Sequence, residues 1–125
     1  MFEKSESLEA LAKEVIAENA DLKHLDNPTL RIVYMYCDKD KTSNGKKVYA
    51  DTTKLNDKTK AVAGCDFIIT FYKQICSTLD KAKMKILMRH ELKHVGFKDG
   101  KFSIIPHDVE DFKEILEQHG MNWVL

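Results

Sequence analysis

The chain predicts an α+β fold. Three short runs rich in β-branched and aromatic residues, near 30–37, 48–53 and 65–72, are interspersed with three stretches of helical periodicity, near 6–20, 78–95 and 108–119. Strands and helices in that irregular order favour a small, mostly antiparallel sheet packed against an N-terminal, a central and a C-terminal helix. With 125 residues, 43% of them hydrophobic, the expected organisation is one compact domain over 1–125 that buries its own core.

In the first helix Leu8, Leu11, Ala12, Val15 and Ile16 recur at the spacing of one helical face. Ser5 or Ser7 is a suitable cap, and Glu6 and Glu9 suit its first turn. Asn27-Pro28 breaks the chain before the first strand, Leu30 to Cys37. The polar stretch 38–47, with Ser43-Asn44-Gly45, reads as a turn, after which 48–53 returns as an antiparallel strand. A polar connection at 57–60 leads to the third strand, Cys65 to Tyr72, bounded by Gly64. Ser77 or Thr78 then caps the central helix, which runs to about Val95 and ends on Gly96 as a left-handed residue. Asp99-Gly100, between two short apolar segments, suggests a tight hairpin. Beyond Pro106 a final helix over 108–119 turns Val109, Phe112, Ile115 and Leu116 inward, and the apolar tail 121–125 folds back onto the body.

Composition excludes several classes. Twenty basic residues balance twenty acidic ones, so no global field draws the chain to nucleic acid or to an anionic membrane. Cys37, Cys65 and Cys76 are odd in number and widely spaced, which argues for small buried thiols rather than a disulfide framework or a zinc knuckle. The N-terminus carries no apolar signal region, and no apolar run reaches the ~20 residues of a membrane span. The expectation is a cytoplasmic protein.

The central helix carries the chemistry. His90-Glu91-Leu92-Lys93-His94 is an H-E-x-x-H pentapeptide, which a shuffled chain of this composition shows only about 0.01–0.02 times. Imidazoles at i and i+4 lie one above the other on a helix and can share a Zn²⁺, and the Glu between them is placed to accept a proton from acidified water. On a helical wheel Leu87, Met84, Val95, Met88 and Leu92 form the apolar arc, the two histidines border it, and Glu91 falls inside it. An unpartnered carboxylate in that position costs several kcal/mol, roughly, so a cleft holding a cation and water is the simplest resolution. A buried, hydrogen-bonded histidine pair is the bland alternative. Lys81, Lys85, Arg89 and Lys93 form a basic stripe on another face, in most helices no more than a solvated surface.

A catalytic zinc needs a third protein ligand and one open position. His107 ranks first, because the Asp99-Gly100 reversal brings the chain back toward the helix just before it. Asp108, Glu110 and Asp111 are alternatives, although acidic residues also suit the start of a helix. Asp111, one turn from His107, or Asp108 can instead orient a ligand imidazole. His24 and His119 read as surface residues, and ligation by Cys65 or Cys76 leaves the pentapeptide unexplained.

Three segments, 65–71 (Cys-Asp-Phe-Ile-Ile-Thr-Phe), 87–96 (Leu-Met-Arg-His-Glu-Leu-Lys-His-Val-Gly) and 106–112 (Pro-His-Asp-Val-Glu-Asp-Phe), resemble the putative phage metallopeptidase family. The pairing of H-E-L-x-H with a downstream H-D-V-E-D-F is far more specific than the pentapeptide alone. The resemblance covers roughly 60–123; the first half matches only in its general pattern of strands and helices. It implies a zincin-like core, zinc held by His90, His94 and His107, Glu91 as general base, and a strand near Phe67–Phe71 beside the cleft. It implies host cytoplasm as the location of a phage- or prophage-encoded chain. A looser similarity is to SprT-type proteases acting on proteins crosslinked to DNA, but their cysteine-rich zinc module has no counterpart here.

The leading expectation is therefore zinc-dependent hydrolysis of a protein or peptide substrate, with an extended substrate pairing along an exposed strand at 66–72. Tyr72, His119 and Lys93 are unranked candidates for stabilising the oxyanion. The rivals are a non-catalytic, metal-stabilised binding module and, less expected, a nucleic-acid contact through the basic stripe.

Overall fold

The computed structural model describes residues 1–98 and 101–105. A strand β1 (Phe2–Lys4) precedes helix α1 (Glu6–Glu18) and a 3-10 turn (Ala20–Leu25). Strands β2 (Ile32–Cys37), β3 (Thr42–Ser43), β4 (Lys46–Lys47) and β5 (Ala50–Lys54) follow. Then come α2 (Asp57–Ala63), β6 (Phe67–Tyr72), α3 (Lys73–Cys76), α4 (Lys81–Leu92), β7 (Val95–Lys98) and β8 (Lys101–Ile104). The main sheet has the order β1-β2-β6-β5; β2 and β6 run parallel, and the two outer pairings are antiparallel. This is an α+β fold on a mixed, mostly antiparallel sheet, as the sequence predicts. The predicted helix over 108–119, the tail 121–125 and the Asp99-Gly100 turn itself lie outside the described residues.

Register assigns the two faces of the sheet. Ile32, Tyr34 and Tyr36 of β2 lie opposite Phe67, Ile69 and Phe71 of β6, which in turn face Lys54, Thr52 and Ala50 of β5. Phe67, Ile69 and Phe71 are completely buried, and against them pack Leu8, Ala12 and Val15 of α1 and Leu87, Met88 and Leu92 of α4. Each such side chain contributes roughly 1.5–3 kcal/mol of burial, so this helix-on-sheet layer is the core. Ser5 caps α1 by accepting from the Leu8 amide at 3.1 Å, as its position predicts.

The structure departs from the sequence expectations at five places. The 48–53 strand does return antiparallel, but β6 lies between it and β2, so β2 and β5 are not partners. Consequently β6 is paired on both sides, and 66–72 is no exposed edge for a substrate; the edges of the described sheet are β1 and β5. The polar stretch at 57–60 is helical: Asn56 caps α2 by accepting from the Thr59 amide, and Gly64 closes it in the left-handed conformation. Asp80 rather than Ser77 or Thr78 caps α4, its Oδ1 accepting from the Lys83 amide at 2.9 Å. Finally, α4 stops at Leu92, three residues short of the expected end, and Gly96 sits inside β7.

The Asn44-Gly45 turn behaves as its residues dictate. Asn44 and Gly45 both have positive φ (52° and 76°) between β3 and β4, the geometry a two-residue hairpin demands. Lys98 pairs with Lys101 across the antiparallel strands β7 and β8.

Three residues of the basic stripe, Lys81, Lys85 and Arg89, are paired within the fold. Lys85 reaches Glu18 at 2.6 Å and Glu14 at 3.4 Å, Lys81 reaches Glu14 at 3.5 Å, and Arg89 binds Asp21 at 2.9 Å and Asn19 at 3.0 Å. Each exposed pair is worth at most about 1 kcal/mol, but together they set α4 against α1 and its following turn. All three cysteines are free and buried, and burial pushes the Cys76 thiol up to about 12 while its Sγ donates to the Tyr49 carbonyl. The described helices include none long and apolar enough to cross a membrane.

Candidate metal centre

The last turn of α4 is drawn tight. The Lys93 amide donates to Arg89 O at 3.0 Å, whereas the His94 amide donates to Glu91 O at 3.1 Å, a 3-10 closure that swings the chain into β7. His94 therefore lies just past the helix, and Val95, the first residue of β7, is completely buried. His90 and His94 remain neighbours: their rings are 5.0 Å apart at 88°. One ligand-type atom from each of His90, Glu91 and His94 can be chosen so that all three lie within 4.8 Å of one another.

Glu91 is where its position on the helical wheel puts it, 2% exposed. The Thr52 hydroxyl, from the core-facing side of β5, approaches Glu91 Oε1 at 2.8 Å and the Glu91 carbonyl at 3.2 Å. Burial raises the carboxyl to about 7; the Thr52 hydrogen bond works against this and the charge of Asp51 adds to it. A cation beside it works in the opposite sense and favours the carboxylate. Asp51 is itself held on the opposite face of the sheet, where the Tyr72 hydroxyl donates to it at 2.7 Å and Lys41 at 2.6 Å. That bond engages the Tyr72 hydroxyl with Asp51.

His94 is oriented by the returning strand. The Ile105 amide donates to the His94 carbonyl at 2.7 Å, and the Ile105 carbonyl lies 2.5 Å from His94 Nδ1. A carbonyl only accepts, so Nδ1 carries the hydrogen and the lone pair of the neutral ring sits on Nε2. An imidazole whose far N–H is anchored on a carbonyl is the usual arrangement of a metal-ligating histidine, so this donor set fits a metal ion. His24, expected only at the surface, is exposed but joins this region, its Nε2 donating to the Val95 carbonyl at 3.0 Å.

Of the predicted site residues, His90, Glu91 and His94 come together, while His107, Asp108 and Asp111 lie outside the described residues. Thr52, His24 and the Ile105 carbonyl are contributors that no motif announces. They sit 39, 71 and 11 residues from their partners.

Comparison with curated proteins and with solved structures finds no match. The family model described as putative phage metallopeptidase matches residues 1–124, so the likeness seen over 60–123 extends through the first half as well. The chain belongs to the putative phage metallopeptidase family.

Proposed function

We propose that this chain is a zinc-dependent metallopeptidase in which His90, His94 and His107 hold the ion and Glu91 acts as general base. One observation carries the reading: a carboxylate 2% exposed, set between two imidazoles, one of which has its tautomer fixed by the Ile105 carbonyl. Imidazole donors suit zinc among the metals of a hydrolase. His107 is the third ligand by reach. It follows Ile105 by two residues, a span of at most about 7 Å in extended chain, and the Ile105 carbonyl already touches the His94 ring. Asp108 and Asp111 are then placed in sequence to orient that third ring.

Bound zinc supplies Lewis acidity to a carbonyl and acidifies water. Glu91 accepts the proton of the attacking water and returns it to the departing amine. Because Thr52 donates to Oε1, the proton is held on the other carboxylate oxygen.

The peptide's place is the outer edge of β5. Tyr72 N donates to Tyr49 O and Leu55 N to Asp66 O, so odd-numbered residues of β5 bond to β6. Alternation then directs the amides and carbonyls of Ala50, Thr52 and Lys54 outward, ready to pair with an extended substrate.

Glu91→Gln tests the reading. The variant should bind one zinc as the parent does while peptide hydrolysis falls by at least about 100-fold. Equal hydrolysis in the variant contradicts the role of Glu91. A zinc-loaded parent that cleaves no peptide, yet unfolds on chelation, supports the non-catalytic module instead.

A further inference from the structure

Beyond Thr52 the edge of β5 runs into a cavity of about 370 Å³, within the range of pockets that accept small ligands. Its apolar lining is Leu55, Phe67 and Phe102, with Phe67 completely buried and Phe102 set edge-on against it at 6.3 Å. Its cationic lining is Lys54, Lys60 and Lys101. Lys60 is neutralised by Asp66 at 2.6 Å. Among the described residues Lys54 and Lys101 form no ion pair, and Asp57 is the one remaining acidic residue of the lining, so the balance is one net positive charge.

We propose that this cavity is a specificity pocket for an acidic side chain, glutamate above all, of a peptide bound along β5, two residues from the scissile bond. The proposal rests on the metallopeptidase reading. Lys54 lies about 6.7 Å beyond Thr52 along the strand and, by alternation, on the same face of the sheet. A peptide residue paired near Thr52 lies at the reacting centre, and the residue two positions along turns its side chain toward the cavity. The apolar walls suit the methylene stem of glutamate, and the two lysines meet its carboxylate. Two exposed ammonium groups support a preference of about fivefold over the neutral isostere.

The test has two arms, both with the full chain and zinc. In the first, a degenerate peptide library is digested and the products are sequenced. Glutamate should be enriched two residues from the cut on one side only, and Lys54→Glu with Lys101→Glu should shift that position to lysine. In the second, two extended peptides differing only in Glu or Gln at that position are titrated into the Glu91→Gln chain, and the Glu peptide should bind about fivefold tighter. A library cut without acidic enrichment overturns the pocket and leaves hydrolysis standing. An uncut library with the Glu preference retained in binding overturns hydrolysis and supports the pocket. Equal binding of the two peptides overturns the pocket whatever the library shows.

Discussion

A carboxylate that has lost nearly all contact with water needs a donor, and for Glu91 the donor on the sheet is the Thr52 hydroxyl at 2.8 Å. Thr52→Val keeps the shape and removes the hydrogen bond, leaving a buried acceptor short of its partner. The zinc-free variant should lose about 1–3 kcal/mol in urea unfolding. With zinc bound, hydrolysis should fall about tenfold at unchanged metal content; unaltered stability and rate together contradict the role given to Thr52. The two residues differ in how far the sequence announces them. Glu91 is legible because helical periodicity alone puts it inside the apolar arc of α4. Thr52 is not, since a threonine in a strand is ordinary and its partner is 39 residues away. The Ile105 carbonyl is less legible still, because every residue has one.

Gly96 shows at the scale of elements how a correct residue can receive the wrong explanation. It reads as a helix terminator, yet it lies in β7, where an added Cβ would stand 2.8 Å from Ile105 Cγ1 and 2.9 Å from Ser103 Oγ. Its small size lets the hairpin close and delivers Ile105 to His94. Gly96→Ala should therefore cost about 1–3 kcal/mol of stability by overpacking and weaken zinc binding by displacing Ile105. Titration with zinc and urea checks both, and an unchanged affinity would show that the Ile105 contact does not hold the ring in place. Strand order is legible in composition. The run 67–72 is apolar at almost every position, the mark of a strand buried on both faces, whereas 50–54 is mostly polar, the mark of an edge. Proximity in sequence suggested pairing β2 with β5, and composition argues for β6 between them. The early end of α4 had no such signal, because it depends on where β8 draws the chain.

Among the described residues, α1 and α4 form a helical layer on a mixed sheet, with His90, Glu91 and His94 at the seam where α4, β5 and the β7–β8 hairpin meet. Lys81, Lys85 and Arg89 of the basic stripe belong to that architecture, since they join α4 to α1 and its following turn through Glu14, Glu18 and Asp21. The family match over residues 1–124 agrees with a fold in which the first half supplies Thr52 and half of the core. The most direct measurement is the zinc stoichiometry and affinity of the purified chain beside its His90→Ala, His94→Ala and His107→Ala variants. The account predicts one zinc per chain and a loss of affinity of more than about 100-fold in each variant. A parent chain that binds no zinc, or variants that bind it as tightly as the parent, would contradict it.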